Sequence, residues 1–230
     1  MSSKRILITG ASRGIGLELV KQFAENGYQV LALSRNTSGL EELASSYEHL
    51  NAVQADITKD TGIDKVVEFV NDTWGAVDIV IHNAGALLHK PFKETTRDDF
   101  QQIYQVNVFA VAELTRRLDP FFIDGTHVVT ISSMGGIQGS MKFAGLAAYS
   151  SSKGAVITLM ELLAEEYKER GISFNALALG AVQTEMLKEA FPDYEAPVTA
   201  EEMATYISEF ALKGHKLFNG KVLQVSNSTP

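Results

Sequence analysis

Residues 5–16 read RILITGASRGIG, an apolar run followed directly by a turn with three glycines. The apolar run predicts a buried strand at Arg5–Thr9, and the pattern after the turn predicts a helix over Gly14–Asn26. Glycines let the backbone turn tightly and approach an anion, and the free N–H groups at a helix start attract negative charge. This arrangement favours a nucleotide phosphate site, although a tight turn without a ligand has the same local sequence.

Beyond this turn, short apolar runs alternate with longer amphipathic segments, and no break in composition marks a linker. Continuous apolar runs are typical of parallel strands buried on both faces. We therefore expect one α/β domain over residues 1–230, a Rossmann-like doubly wound parallel sheet of about seven strands with helices on both faces. The remaining predicted strands are Gln29–Ser34, Ala52–Gln54, Asp78–His82, His127–Ser132, Ser173–Leu179 and Val222–Val225. The remaining predicted helices are Ser38–Tyr47, Asp60–Thr73, Arg97–Leu118, Tyr149–Arg170 and Thr199–Leu212, whereas 186–198 is expected to be irregular.

The composition narrows the classes of function. The net charge of −8 argues against nucleic acid or an anionic membrane as a partner. The chain has no cysteine and its five histidines lack metal-ligand spacing, so we expect no disulfide, thiol catalysis or metal site. It shows no signal-peptide pattern at its start and no apolar run that could span a bilayer, which predicts a cytoplasmic protein.

The unusual residues of the chain follow the ends of the predicted strands. Open parallel sheets bind ligands outside the carboxyl ends of their strands. The residues at these ends are Thr9-Gly10, Ser34-Arg35, Asp56, Asn83-Ala84-Gly85, Ser132-Ser133 and Gly180. Their convergence predicts a single ligand site along this edge.

A tyrosine and a lysine begin the helix after the fifth main strand. Tyr149 and Lys153 are four positions apart, which places both side chains on one helical face. An ammonium beside a phenol favours the phenolate and lowers a pKa that is ordinarily about 10. Such a tyrosine could exchange a proton with a substrate oxygen near neutral pH. Taken alone, the pair also fits a half-buried tyrosine beside a solvated lysine.

Two arginines bear on the choice of nucleotide. A dinucleotide without a 2′-phosphate is usually held by a carboxylate after the second strand, but here Ser34-Arg35 stands at that place. Arg13, in the glycine turn, could reach the same region. Guanidinium groups bind a phosphate monoester with a planar fork of donors. The sequence therefore favours NADP(H) over NAD(H), unless Arg35 only faces solvent.

Together these motifs resemble the short-chain dehydrogenase/reductase family in its core-length, single-domain form, over essentially the whole chain. The resemblance implies a strand order of 3-2-1-4-5-6-7. The motifs that carry it are Thr9-Gly10-x-x-x-Gly14-x-Gly16, Asp56, Asn83-Ala84-Gly85, Asn107, Ser132-Ser133 and Tyr149-x-x-x-Lys153.

The resemblance implies a catalytic set of four residues. Tyr149 would be the acid for carbonyl reduction or the base for alcohol oxidation, and Lys153 would hold the nicotinamide ribose and lower the Tyr149 pKa. Ser133 would bond the substrate oxygen, and Asn107 would anchor a water of the proton relay. From the residues alone, a buried Asn107 satisfied by backbone groups is the simpler interpretation. Ser132 could take this role in place of Ser133; we prefer Ser133 because Met134-Gly135-Gly136 follows it.

The resemblance also implies the residues that hold the dinucleotide. Asp56 would contact the adenine, and Asn83 would tie the central strands together near the cofactor. The full implied set is Gly10, Ser12, Arg13, Gly14, Ile15, Gly16, Ser34, Arg35, Asp56, Ile57, Asn83, Ala84, Gly85, Tyr149, Lys153, Gly180, Val182 and Thr184.

The chain departs from the family pattern around the substrate. The interval from Ser133 to Tyr149 is longer than usual, with residues 141–143 as the excess, and Leu179 replaces a common proline before Gly180, which could loosen that turn. The segment from Glu185 to Thr199 is short and the chain ends without the customary glycine pair, which suggests an open pocket or one completed by another subunit. The candidate pocket residues are apolar: Leu87, Leu88, Phe92, Met134, Phe143, Leu146, Met186 and Phe191.

The leading hypothesis is an NADP(H)-dependent oxidoreductase that interconverts a carbonyl and a secondary alcohol on a small, largely apolar substrate. The alternatives are a 3-oxoacyl-carrier-protein reductase, a non-catalytic dinucleotide-binding redox sensor, and, less favoured, a lyase or epimerase. A sensor has no need for the complete catalytic set. The broad apolar faces of the helices at Arg97–Leu118 and Tyr149–Arg170, which pair across a two-fold axis in this family, predict a homodimer or homotetramer.

Overall fold

The computed structural model describes residues 3–226 and contains a seven-stranded, fully parallel sheet in the order β3-β2-β1-β4-β5-β6-β7. The predicted fold class and strand order are confirmed. The strands are β1 (Arg5–Thr9), β2 (Gln29–Ser34), β3 (Leu50–Gln54), β4 (Val77–His82), β5 (Phe122–Ser133), β6 (Ser173–Leu179) and β7 (Lys221–Val225). The α-helices are α1 (Gly14–Glu25), α2 (Ser38–Ala44), α3 (Asp60–Phe69), α4 (Arg97–Tyr104), α5 (Ala110–Leu118), α6 (Ala147–Glu166), α7 (Glu185–Ala190) and α8 (Ala200–Lys213).

Two apolar cores lie on opposite faces of the sheet. In β1, Ile6 and Ile8 face one core, whereas Leu7 faces the other. The first core is covered mainly by α1, α2 and α8, and the second by α3, α5 and α6. Because successive side chains of a strand point to opposite faces, a continuous apolar run fills both cores.

Two predicted helices are interrupted by π-helical turns. The helix expected over Arg97–Leu118 is divided into α4 and α5 by a π-turn at Gln105–Phe109, and the end of the helix expected over Asp60–Thr73 is a π-turn at Val70–Trp74. The π-turn at Gln105–Phe109 contains Asn107, whose side chain forms hydrogen bonds with residues outside this helix. Apolar periodicity alone could not reveal a local change in helical hydrogen bonding.

The prediction that 186–198 is irregular is wrong in its first part. Thr184 accepts a hydrogen bond from Leu187 N through its side chain and caps the short helix α7. A side-chain acceptor for the free N–H groups of a first turn stabilises such a helix. The rest of the segment is irregular, and its base is joined to α8 by a bridge between Gln183 and Thr199. The predicted features at residues 227–230 lie outside the described residues.

Within residues 3–226, no helix is long and apolar enough to cross a membrane. Over the same range, His, Asp and Glu side chains form no cluster of three that could hold a metal ion.

Because two histidines are buried, we expect the protein to lose stability as the pH falls. Burial lowers the pKa of both His82 and His127 to about 4, from an ordinary value near 6.5. Between pH 6.5 and 4 the unfolded chain therefore binds more protons, so the free energy of unfolding should fall as the pH falls through this window, by up to about 1.4 kcal/mol per pH unit for each histidine. Urea unfolding at several pH values measures this slope.

The variant His82→Phe isolates one contribution. In the native chain, His82 Nε2 lies 2.9 Å from Thr115 Oγ1, and that hydroxyl donates to Val111 O, so the phenylalanine leaves the threonine satisfied. The change of the free energy of unfolding with pH should therefore become smaller by the contribution of one histidine. An unchanged slope would contradict burial of a neutral His82.

Candidate active site

The glycine turn after β1 is shaped by close backbone contacts. Gly10 has a φ of 67°, and a Cβ built on it would lie 2.7 Å from Ala84 Cα. A Cβ on Gly16 would lie 2.2 Å from Gly10 O and 2.5 Å from Asn83 Nδ2. The Asn83 amide donates to Thr9 O and Gly10 O, which ties β4 to the turn. Gly16 therefore packs beneath the turn and, unlike the other residues of the implied dinucleotide set, does not line the cleft.

The start of α1 fits the phosphates of a dinucleotide. Arg13 precedes the helix, and its side chain makes no capping hydrogen bond to the first turn. Ser12, Gly14 and Ile15 line the adjacent cleft. N–H groups at a helix start form a favourable site for an anion, and the side chain at the N-cap position does not occupy them here.

The ends of β2 and β3 border the same cleft at Ser34, Arg35, Asp56 and Ile57. Asp56 Oδ1 accepts hydrogen bonds from Thr58 N at 3.0 Å and Thr58 Oγ1 at 2.7 Å. Burial raises the Asp56 pKa, but these hydrogen bonds and the charge of Arg35 outweigh it and lower the pKa below its ordinary value. This end of the cleft thus combines a carboxylate with an exposed guanidinium.

Tyr149, Ser133 and Lys153 meet where β5 reaches α6. Tyr149 and Ser133 are close enough for the Ser133 hydroxyl to influence the Tyr149 pKa, and Lys153 Nζ lies 5.9 Å from the centre of the tyrosine ring. The lysine is only 5% exposed and donates to Ile131 O at 2.8 Å. All three line the cleft. The structure therefore brings together the predicted phenol, hydroxyl and ammonium.

The protonation of this cluster differs from the sequence expectation. Burial raises the Tyr149 pKa, and the hydrogen bond with Ser133 only partly opposes it. Burial also lowers the Lys153 pKa to about 8. The expected lowering of the Tyr149 pKa by Lys153 is therefore wrong for the chain itself, because Lys153 points its ammonium to a backbone carbonyl and burial dominates.

The two serines at the end of β5 have different roles. Ser132 is buried and donates to Lys153 O at 2.9 Å, which anchors the first turns of α6 to the strand. Ser133 Oγ accepts from Gly135 N and faces Tyr149. A Cβ on Gly136 would lie 2.7 Å from the backbone carbon of Lys153, so this short turn packs directly on α6. Of the two serines, Ser133 is therefore the one whose hydroxyl is directed toward Tyr149.

Asn107 is buried behind the cleft and does not line it. Its Oδ1 accepts from Ala86 N at 2.8 Å, and its Nδ2 donates to Ala86 O and to Ser152 Oγ. The simpler interpretation of a buried, satisfied asparagine therefore describes its side chain. Ser152, which sequence reasoning missed, also donates to Tyr149 O and so links Asn107 to α6.

The cleft has a volume of about 1310 Å³, larger than the roughly 300–1,000 Å³ of a typical small-molecule pocket. It therefore has room for a dinucleotide and a second small molecule. Phe92 is a correction, because its ring is 70% exposed and lies outside the cleft. The other predicted pocket residues line the cleft, joined by Met141, Leu187 and Tyr194, which the prediction omitted.

Leu179 does not loosen the turn before Gly180. It lies in β6 between Ser133 of β5 and Val225 of β7, and it is buried. Gly180 N then donates to Val225 O at 2.9 Å. The strand ladder therefore continues to the cleft, where Gly180, Val182 and Thr184 form one wall.

The sheet is Rossmann-like, with a glycine turn after β1 and a Tyr–Lys–Ser cluster between the end of β5 and the start of α6. These features together define a class of nucleotide-dependent oxidoreductase. The family model described as short chain dehydrogenase matches residues 4–195. The chain belongs to this family.

Known proteins agree with this assignment. The chain is 33% identical over 244 residues to gluconate 5-dehydrogenase of Gluconobacter oxydans, with 98% of this chain and 94% of that protein covered. It resembles a short chain dehydrogenase from Burkholderia cenocepacia in complex with NADP (TM-score 0.88, 25% identity, covering 98% of this chain and 97% of the other). It also resembles a 3-ketoacyl-(acyl-carrier-protein) reductase from Brucella melitensis complexed with NADH (TM-score 0.86, 28% identity, covering 96% of each chain).

Proposed function

We propose that the protein is an NADP(H)-dependent oxidoreductase that interconverts a carbonyl and a secondary alcohol on a small, largely apolar substrate. The observation that carries the proposal is that Tyr149, Ser133 and the buried Lys153 line one cleft together with the glycine turn, with Lys153 Nζ 5.9 Å from the tyrosine ring centre. A bound nicotinamide supplies or accepts the hydride. The protein need only orient the substrate oxygen and move one proton.

In the direction of reduction, Tyr149 gives its proton to the carbonyl oxygen, which Ser133 holds by a hydrogen bond. A pKa raised by burial keeps the phenol protonated at neutral pH, as a proton donor requires. Lys153, with a pKa of about 8, remains mostly charged at pH 7 and stabilises the phenolate that forms. In alcohol oxidation the same groups act in reverse.

The preference for NADP(H) is supported by the residues at the ribose end of the cleft. Arg13 and Arg35 both line it, and Ser34 stands where a ribose-binding carboxylate is usual. One similar structure contains NADP and another NADH, so relatives of this fold use both. The preference rests on the chain's own arginines.

The variant Arg35→Ala tests the cofactor assignment. We expect the affinity for NADPH to fall about tenfold or more and that for NADH to change little, because a charge-assisted hydrogen bond contributes roughly 1.5–3 kcal/mol. Titration of intrinsic fluorescence measures both constants. Arg97→Ala, on the helix α4, removes an arginine outside the cleft and is the matched control. Equal losses for the two nucleotides would contradict the assignment.

A 3-oxoacyl-carrier-protein reductase is the second candidate, favoured by the similarity to the Brucella melitensis enzyme. A panel of ketones, aldehydes and 3-oxoacyl thioesters, followed by the absorbance of reduced nicotinamide, separates the two. Faster turnover of thioesters than of simple ketones would select the second candidate. No oxidation of NADPH or NADH with any carbonyl would contradict both.

The protein is further proposed to act in the cytoplasm as a homodimer or homotetramer. The support for an oligomer is two exposed apolar side chains on the helices predicted to pair, Phe109 at 52% and Leu162 at 63% exposure. A monomeric mass by light scattering would contradict it.

A further inference from the structure

A short helix of the substrate side contacts the glycine turn through an ion pair. Arg13 Nη1 lies 2.5 Å from Glu189 Oε1, and a second contact joins Arg13 Nη2 and Glu189 Oε2 at 3.5 Å. The two residues are 176 positions apart in the chain. Glu189 belongs to α7, whose residues Met186 and Leu187 line the cleft. The pair therefore connects the nucleotide side of the cleft to the segment that covers the substrate side.

The contact occupies the fork of donors that a 2′-phosphate would need. Arg13 is one of the two arginines at the ribose end of the cleft, and its guanidinium faces a carboxylate in the described structure. A guanidinium pairs with an anion through two N–H donors on one edge, so a carboxylate and a phosphate compete for the edge formed by Nη1 and Nη2 of Arg13. A phosphate monoester carries about −1.5 to −2 charges against −1 for the carboxylate and should displace it.

A 2′-hydroxyl has no such advantage. It is uncharged and cannot exchange with a carboxylate on a guanidinium, so an unphosphorylated dinucleotide should leave the ion pair intact. The C-terminal end of α7 has a second contact, because Phe191, which follows the helix, stacks on His89 with ring centres 4.7 Å apart. Loss of the Arg13 contact would thus remove one of two contacts at the C-terminal end of α7 and leave the N-terminal cap at Thr184 in place.

We propose that Glu189 is a cofactor-specificity residue: its carboxylate holds Arg13 in the free protein, and only a 2′-phosphate displaces it. This inference rests on the proposed use of NADP(H). Glu189 lowers the affinity for the phosphorylated dinucleotide, and binding of that dinucleotide loosens the C-terminal end of α7 at the edge of the substrate site.

The test uses two fragments that differ only in the 2′-phosphate, 2′,5′-ADP and 5′-AMP, titrated calorimetrically into the ligand-free protein at low ionic strength. Glu189→Gln should bind 2′,5′-ADP about two- to fivefold more tightly and 5′-AMP as the native chain does, since exposed ion pairs are weak. No gain, or the same gain for both fragments, would overturn the proposal.

Two variants control for charge and for the partner. Glu185→Gln removes the same charge from the same helix, near Gly14; Glu185 acts on Arg13 only through its charge and without a hydrogen bond, so this variant should raise the selectivity for 2′,5′-ADP less than Glu189→Gln does. In an Arg13→Gln background, Glu189→Gln should give no further gain. A gain that persists without Arg13 would also overturn the proposal.

Amide hydrogen exchange provides a second readout. Lys188 N and Phe191 N donate within α7, to Thr184 O and Leu187 O. Their exchange should be faster with 2′,5′-ADP than with 5′-AMP, and equal rates would contradict loosening of the helix. If native protein binds the two fragments equally, the NADP(H) assignment fails. If it prefers 2′,5′-ADP but Glu189→Gln has no effect, only the role of Glu189 fails.

Discussion

Replacement of Tyr149 by phenylalanine should lower carbonyl turnover by about 10²- to 10⁴-fold, the contribution of a positioned proton donor. The ring and its packing are retained, so the affinity for the dinucleotide should remain close to the native value. Ser133 keeps its contact with Gly135 N. Steady-state kinetics with NADPH and the best carbonyl of the panel, together with nucleotide titration, measure the two effects.

The matched control for this variant is Tyr194→Phe. Tyr194 also lines the cleft, but it lies in the exposed segment after α7, and no contact with Ser133 or Lys153 is found for it. Removal of the Tyr194 hydroxyl should leave turnover at least about tenfold higher than removal of the Tyr149 hydroxyl does. Native turnover in the Tyr149→Phe protein would exclude the proposed mechanism. Nucleotide binding without any turnover in the native protein would favour the redox-sensor alternative.

The second large effect is expected for Gly16→Ala. The new Cβ would meet Gly10 O at 2.2 Å and Asn83 Nδ2 at 2.5 Å, and the first of these is backbone that is confined between β1 and β4. Overpacking of this kind costs roughly 1–3 kcal/mol, and a domain of this size should then melt roughly 3–10 °C lower. Because the displaced carbonyl belongs to the glycine turn, nucleotide affinity should fall with it.

Gly39→Ala separates this clash from a general effect of removing glycine. Gly39 lies in α2, and a Cβ built on it would contact nothing within 4 Å. Alanine there should leave the melting temperature unchanged or raise it slightly. Thermal unfolding followed by circular dichroism compares the two variants. A Gly16→Ala protein as stable as native would show that the turn can shift without cost.

The sheet was predictable because its determinants are local. Each strand is a short apolar run such as Arg5–Thr9, and burial on both faces of a parallel sheet leaves few other arrangements for such runs. The motifs at the strand ends then had to meet at one edge. Boundaries were less accurate: β3 and β5 are longer than predicted, and α6 begins at Ala147. Helix and strand ends depend on caps and on neighbouring chain segments, which apolar patterns do not report.

The chemistry of the site was predictable in its residue types and less so in its electrostatics. The spacing of Tyr149 and Lys153 placed both on one helical face, and both line the cleft, but the direction of the tyrosine pKa depended on burial, which only the packed structure defines. The choice between Ser132 and Ser133 was likewise open. It depends on which hydroxyl meets Lys153 O and which meets Tyr149, across a distance of some twenty residues in the chain.

The sequence by itself determined the doubly wound sheet, the glycine turn and the types of group at the site, a phenol, an ammonium and a hydroxyl, because periodicity and residue chemistry are properties of neighbouring positions. Tertiary structure alone decided that Phe92 lies outside the cleft, that Asn107 is satisfied behind it, and that Glu189 pairs with Arg13. These outcomes depend on burial and on contacts between segments far apart in the chain. The free energies of burial and of these contacts arise only when the chain has folded.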